Sequence, residues 1–239
     1  MGWVRGKGAK WAGAVLLLGG SVLCTAALAG PDAPLRELPA AAAPQVDFRG
    51  QPASREARAV AQWSFETGDN RGRPFAVVDK KDARLFVFSA NGRLIGATPA
   101  LLGLARGDDS APGVGRKVST GIPPDERTTP AGRFDSEPGR NLSGEAIVWL
   151  DYDAAVAIHR LRPAAPSQRR AQRLASGPAD DNRISLGCVV VDEAFYDRVV
   201  APTLGKQRGV VYVLPETRDW RVQFGIGTLA NGGTGSEAL

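Results

Sequence analysis

The chemistry available to this chain is concentrated in two residues. Cys188 is one of two cysteines, and His159 is the one histidine, in 239 residues. A free thiol ionises near pH 8.5, so only a few per cent is thiolate at neutral pH. A neighbouring imidazole raises that fraction by forming an ion pair, and later returns the proton to a leaving amine. One thiol and one imidazole are the minimum set for thiol acyl transfer. Both lie in β-forming runs, "VAIHR" and "ISLGCVVV", which adjacent strands could bring together. Gly187 leaves room for a substrate carbonyl, and the Gly187 and Cys188 backbone N–H groups are candidate oxyanion donors. The alternative is structural: Cys188 packs as a small hydrophobe, His159 is a satisfied core histidine and Gly187 marks a bulge. Composition leaves both readings open and leans to the second. A single His and a single Cys cannot assemble a zinc site, so no metal is expected, and thiol acyl transfer through a thioester implies no cofactor.

The compartment bears on which reading holds. Arg5, Lys7 and Lys10 precede the apolar stretch "WAGAVLLLGGSVLCTAALA", and Ala27-Leu28-Ala29 forms a small-x-small cleavage pattern. Residues 1–29 therefore read as an export signal, with a retained N-terminal anchor as the alternative. Membrane contact is expected only if that segment stays. Leu23 before Cys24 is not the small residue that precedes a lipid-modified cysteine. Cleavage removes three cations and no acid, so the net charge falls from +5 to +2. With no basic patch interleaved with aromatics, nucleic acid is not an expected partner. Cleavage also leaves Cys188 alone in an oxidising compartment, either deeply buried or kept for its chemistry.

The elements that must position the pair follow along the chain. Residues 30–71 read as a Pro/Ala-rich linker and a short helix over 54–69, capped by Ser54. "PFAVVDKKDARLFVFSANGRLIGATPALLG" holds three strand-like runs, the last two joined by Asn91-Gly92. Leu85 to Phe88 are apolar on both faces, as in a strand covered on both sides. A Gly/Pro/Asp-rich loop spans 105–128, and "TTPAGRF" makes a tight bend. Strands are expected at 145–151, 154–160 and 209–215. Between His159 and the cysteine lies a polar insert, 163–182, with a helix at "PSQRRAQRLAS". Arginines 162, 169, 170, 173 and 183 lie in or beside it. Residues 216–239 read as a tail. Strands come first and short helices late, which predicts a mainly antiparallel β domain with helical decoration over 72–215.

"AIHR" followed by "RISLGCVVV" resembles the signature of the L,D-transpeptidase catalytic domain, a His, a spacer, then Ser/Thr-His-Gly-Cys. The opening hairpin "AVVDKKDARLFVFSANGRLIG" and "TPAGRF", similar to the family's Thr-Pro-x-Gly-x-Phe bend, extend the likeness over roughly residues 72–215. The resemblance implies a mainly β fold, a β-sandwich or barrel with short decorating helices. It also implies Cys188 as nucleophile, His159 as base, the Arg160 carbonyl as orienter of the ring, and Ser185 and Gly187 as shapers of the cysteine loop. Three departures stand out. The family's histidine before the glycine is Leu186 here, its polar residue two places after the cysteine is Val190, and the spacer is about ten residues longer.

What the resemblance implies for function is ping-pong acyl transfer on peptidoglycan stem peptides in the periplasm or cell envelope. The thiolate attacks the carbonyl of a diamino acid, D-alanine leaves, and an amine of a second stem takes the acyl group. Carbapenems are expected as covalent inhibitors. Ser185, Leu186, Tyr152 and Arg173 are expected to line the substrate. Tyr152 is also open to a plain core role, and the insert to being a solvated excursion rather than a lid that pairs with carboxylates. Two other readings stay open: hydrolysis of the same acyl group, and a wall-binding module with an inert cysteine.

Overall fold

The structure is a computed structural model that describes residues 45–227. The export segment, Cys24, most of the linker and the last residues of the tail lie outside the described residues. Ten strands form the frame: β1 (Phe75–Asp79), β2 (Arg84–Phe88), β3 (Leu94–Pro99), β4 (Leu102–Gly103), β5 (Gly132–Arg140), β6 (Ala146–Asp151), β7 (Val156–Arg160), β8 (Arg183–Ser185), β9 (Val189–Val191) and β10 (Gly209–Val213). Eight of them make one sheet in the order β3-β2-β1-β10-β5-β6-β7-β9, and β4 pairs with β8 in a small second sheet. The fold is mainly β with short helices: α1 (Arg55–Glu66), α2 (Arg170–Ala175), α3 (Glu193–Phe195, continued by a π turn) and α4 (Trp220–Gln223). Among the described residues, no helix is long and apolar enough to cross a membrane.

The pairing is mainly antiparallel, with three parallel pairs. The pairs β1–β10, β7–β9 and β4–β8 run parallel. Each parallel pair joins segments far apart in sequence, which a reading of neighbouring hairpins does not reveal.

Strand alternation divides the side chains into two layers. On the inner face, Val78, Leu85, Val87, Val148, Ile158, Val189, Val191 and Val211 converge in one core cluster. Residues from both ends of the sheet share this cluster, so the sheet curls around it. On the outer face of β1, β2 and β10, Phe75, Val77, Phe86, Phe88 and Tyr212 form a second cluster with Ala57, Val60 and Ala61 of α1. That accounts for the double-sided apolar run at 85–88. Phe75 stacks on Phe88 with ring centroids 4.8 Å apart. Ser54 caps α1, its Oγ accepting from Ala57 N at 3.0 Å. In the hairpin at Asn91-Gly92, Gly92 adopts φ 78° and the β2–β3 register shifts at Val87/Phe88. The hairpin therefore closes through a bulge.

The packed unit is wider than 72–215. Helix α1 covers one face of the sheet, and beyond residue 215 both Glu216 and Trp220 are buried, Trp220 in the second cluster. Residues 216–227 are thus part of the body and not a tail.

Candidate active site

The far end of the sheet, β6-β7-β9, positions the two reactive residues. Strands β7 and β9 pair in parallel, with Ile158 opposite Val189 and His159 opposite Val190. Ile158 and Val189 point into the inner core, so His159 and Val190 point outward. Cys188 precedes β9 by one residue and packs with Val190 in the outer cluster. The imidazole and the sulfur therefore share one face, on adjacent strands, offset by two residues.

Hydrogen bonds fix the state of each group. His159 Nδ1 lies 2.7 Å from Arg160 O. A carbonyl can only accept, so Nδ1 carries the proton and Nε2 holds the lone pair. Cys188 Sγ donates to Ala155 O at 3.5 Å. Burial pushes the His159 pKa down to about 4, against the raising effect of the Arg160 carbonyl. Burial also pushes the Cys188 thiol above its ordinary range, although the Ala157 backbone and the charge of Arg162 pull the other way. Desolvation disfavours the charged form of both groups. Both shifts favour the neutral thiol and the neutral imidazole.

The cysteine loop is tied from several sides. Ser185, 3% exposed, donates its hydroxyl to Cys188 O at 2.6 Å and accepts from Gly187 N at 3.1 Å. The Ser185 hydroxyl thus both donates and accepts within the cysteine loop. The same bond occupies the Gly187 N–H, which removes it as an oxyanion donor. Gly187 sits at φ 132°, and a Cβ there would lie 2.9 Å from Thr128 O. Only glycine fits this position without strain. Thr129, in the "TPAGRF" bend, accepts from Gly103 N at 2.8 Å and donates to Gly187 O at 2.9 Å. Its own carbonyl accepts from Lys80 Nζ at 3.0 Å.

Lys80 is wholly buried and also donates to Gly107 O at 2.6 Å and Asp108 Oδ1 at 2.8 Å. Burial alone would raise the Asp108 pKa, but Lys80, Thr217 and two backbone N–H groups hold it well below the carboxylate range. Arg183 of β8 pairs with buried Glu216 at 2.6 Å and donates to Lys80 O at 2.9 Å. This buried charge network braces the bend and β8, and through them the cysteine. Sequence reading missed it. A lysine in "DKKDA" reads as a turn residue, and its carboxylates come from distant segments.

The remaining expected residues divide. The Arg160 guanidinium binds Asp197 Oδ1 at 2.6 Å and lies 4.3 Å from the Tyr196 ring centroid, so only its carbonyl serves His159. Tyr152 is 62% exposed and stacks on Trp149 at 4.5 Å, in the turn that supplies Ala155. It is not a core residue. Leu186 is 43% exposed beside the cysteine. Arg173 is spent within the insert, donating from Nε to Gln168 O and from Nη1 to Asp181 O, both at 3.0 Å. Both of these acceptors are backbone carbonyls of the insert. The charges that bear on the pair are those of Arg162, on both groups, and of Glu145 and Arg170, on His159.

Two of the departures prove to be one. Val190, two places after the cysteine, is 1% exposed and packs against Leu174 of α2 in the insert. The added segment covers the position and makes it apolar. Among the described residues, no group of three His, Cys, Asp or Glu side chains could hold a metal ion.

The chain matches no protein-family model and no curated protein. The solved structures to which it is similar are mostly L,D-transpeptidases. The helical cell shape determining protein Pgp2 from Campylobacter jejuni is 15% identical, with a TM-score of 0.39, over 61% of this chain and 49% of that one. An L,D-transpeptidase from Xylanimonas cellulosilytica is 17% identical, with a TM-score of 0.35, over 59% and 60%. One from Mycobacterium smegmatis is 18% identical, with a TM-score of 0.33, over 59% and 58%. The matched part thus spans about half to three-fifths of each of those structures.

Proposed function

We propose that this chain is an exported cysteine acyltransferase that acts on peptidoglycan stem peptides as L,D-transpeptidases do. The observation that carries the reading is the placement of Cys188 and His159 on one face of two adjacent parallel strands, with Nδ1 committed to the Arg160 carbonyl. That arrangement leaves Nε2 as the base.

The steps balance as follows. Cys188 Sγ attacks the carbonyl carbon of the diamino acid while its proton passes to His159 Nε2. The oxyanion is met by the Cys188 N–H, since the Gly187 N–H is bound to Ser185. Collapse breaks the C–N bond, the imidazolium gives its proton to the amine of D-alanine, and a thioester remains. An amine of a second stem then attacks the thioester, Nε2 takes its proton, and the thiol is restored. A carbapenem would acylate the same sulfur by opening its lactam ring.

A second reading keeps the first half-reaction and passes the acyl group to water. Val190 favours it, because a buried valine offers no polar contact to an incoming amine. Incubation with disaccharide-tetrapeptide separates the two. Dimers joined through two diamino acids support transfer, tripeptide alone supports hydrolysis, and unchanged tetrapeptide beside a Cys188→Ala control rules out both.

A further inference from the structure

The insert does more than lengthen the spacer. Its chain leaves β7 at Leu161, and Leu161 and Leu174 pack in the same outer cluster as Cys188. The insert is thereby docked on the cluster against which Cys188 packs. Between its two arms lies a cleft of about 410 Å³, walled by prolines and alanines of 163–166 and lined by Arg162, Arg169 and Arg170, with Glu193 at one side.

The three guanidiniums are unequally matched. Arg162 has a carboxylate partner, Glu145, at 2.6 Å. Arg170 is half-buried and meets only the neutral Gln168 Oε1, at 2.6 Å. Arg169 takes a left-handed φ of 48°, and among the described residues its side chain makes no hydrogen bond or ion pair. Burial, and then the charge of Arg162, hold the Arg170 pKa below its ordinary value. Clustered cations in a partly desolvated cleft repel one another until an anion enters. Planar guanidiniums with unused donors bind carboxylates through paired hydrogen bonds.

We propose that this cleft is a carboxylate subsite, in which Arg169 and Arg170 hold a free carboxylate of the peptide whose carbonyl is presented to Cys188. The identity of that peptide rests on the acyl-transfer reading; the preference for a carboxylate rests on the cleft. An amide bond at the sulfur places a C-terminal carboxylate one residue away, and the small apolar wall suits a peptide backbone better than a large polyanion.

The test is isothermal titration of the full Cys188→Ala protein with N-acetyl-L-Lys-D-Ala and with its C-terminal amide. The acid should bind about tenfold more tightly than the amide. In the Arg169→Gln/Arg170→Gln protein that ratio should fall to about one, with amide affinity kept and the thermal unfolding transition unmoved. A ratio near one in the parent, a preference that survives both substitutions, or no saturable binding of either peptide overturns the proposal. Failure of the acyl-transfer reading shows separately, as a wild-type sulfur that forms no acyl-enzyme, and leaves the ratio where it is.

Discussion

The two ends of the large sheet share an inner core and differ on their outer faces. Over β1, β2 and β10, a 12-residue helix seals Phe75, Val77, Phe86, Phe88 and Tyr212 against solvent. Over β6, β7 and β9, the outward positions carry Trp149, Ala157, His159 and Val190, with Cys188 beside them, and the cover is Leu101, Ile184 and an irregular insert held by Leu161 and Leu174. The same alternation of residues thus builds a sealed aromatic layer at one end and carries Cys188 and His159 at the other. What differs is the cover. The face closed by the helix is filled with large apolar groups, whereas the face under the insert keeps a thiol and an imidazole.

Substitutions at the two ends should separate cleanly. Cys188→Ala should abolish acyl transfer, with turnover falling at least about a thousandfold. Its thermal transition should stay in place, as measured by product mass spectrometry and calorimetry on one preparation. Phe75→Ala at the sealed end should do the reverse, costing roughly 3–5 kcal/mol of stability while turnover per folded molecule is kept. If Phe75→Ala lowers turnover as much as it lowers stability, the two ends are not independent.

Smaller effects test the braces between them. Gly187→Ala forces a side chain into φ 132° and against Thr128 O. It should cost about 1–3 kcal/mol and slow acylation more than it loosens the fold. Thr129→Val removes the bonds to Gly103 N and Gly187 O. A loss of about 1–2 kcal/mol is expected, with a rate decrease that Thr129→Ser restores. An unchanged acylation rate in Thr129→Val would show that the bend does not position the loop.

The weakest effect is the pH dependence of stability. Folded His159 stays neutral down to about pH 4, whereas in the unfolded chain it takes up a proton near pH 6.5. As pH falls between those values, only the unfolded state gains that proton, so stability declines through the window and levels off below it. Urea midpoints of the wild type should fall between pH 6.5 and 4, and those of His159→Gln should fall less. Equal slopes would mean that the imidazole is not buried neutral.

Much of this division can be read from the residues alone. The apolar run 85–88 announces a strand covered on both sides, and "VAIHR" with "ISLGCVVV" announces two strands able to carry a base and a nucleophile. The parts that sequence hides depend on long-range pairing. Lys80 becomes a buried brace only because Asp108, Glu216 and Arg183 arrive from three other segments. Thr129 reads as a bend residue until Gly187 meets it from 58 positions away. Arg173 has the same chemistry as Arg169 and Arg170, and only the turn of a short helix decides which of them faces the cleft. The protonation of the dyad is likewise set by burial, which residue spacing does not convey.

The central claim is that His159 Nε2 takes the proton from Cys188 as the sulfur is acylated. The most direct measurement is the intact mass of wild-type, His159→Gln and Cys188→Ala proteins over time with meropenem at pH 7. The account predicts one adduct on the wild type at Cys188, none on Cys188→Ala, and acylation of His159→Gln slowed by about 10²–10⁴-fold. A wild type that stays unmodified, or a His159→Gln protein that is acylated at the wild-type rate, contradicts it.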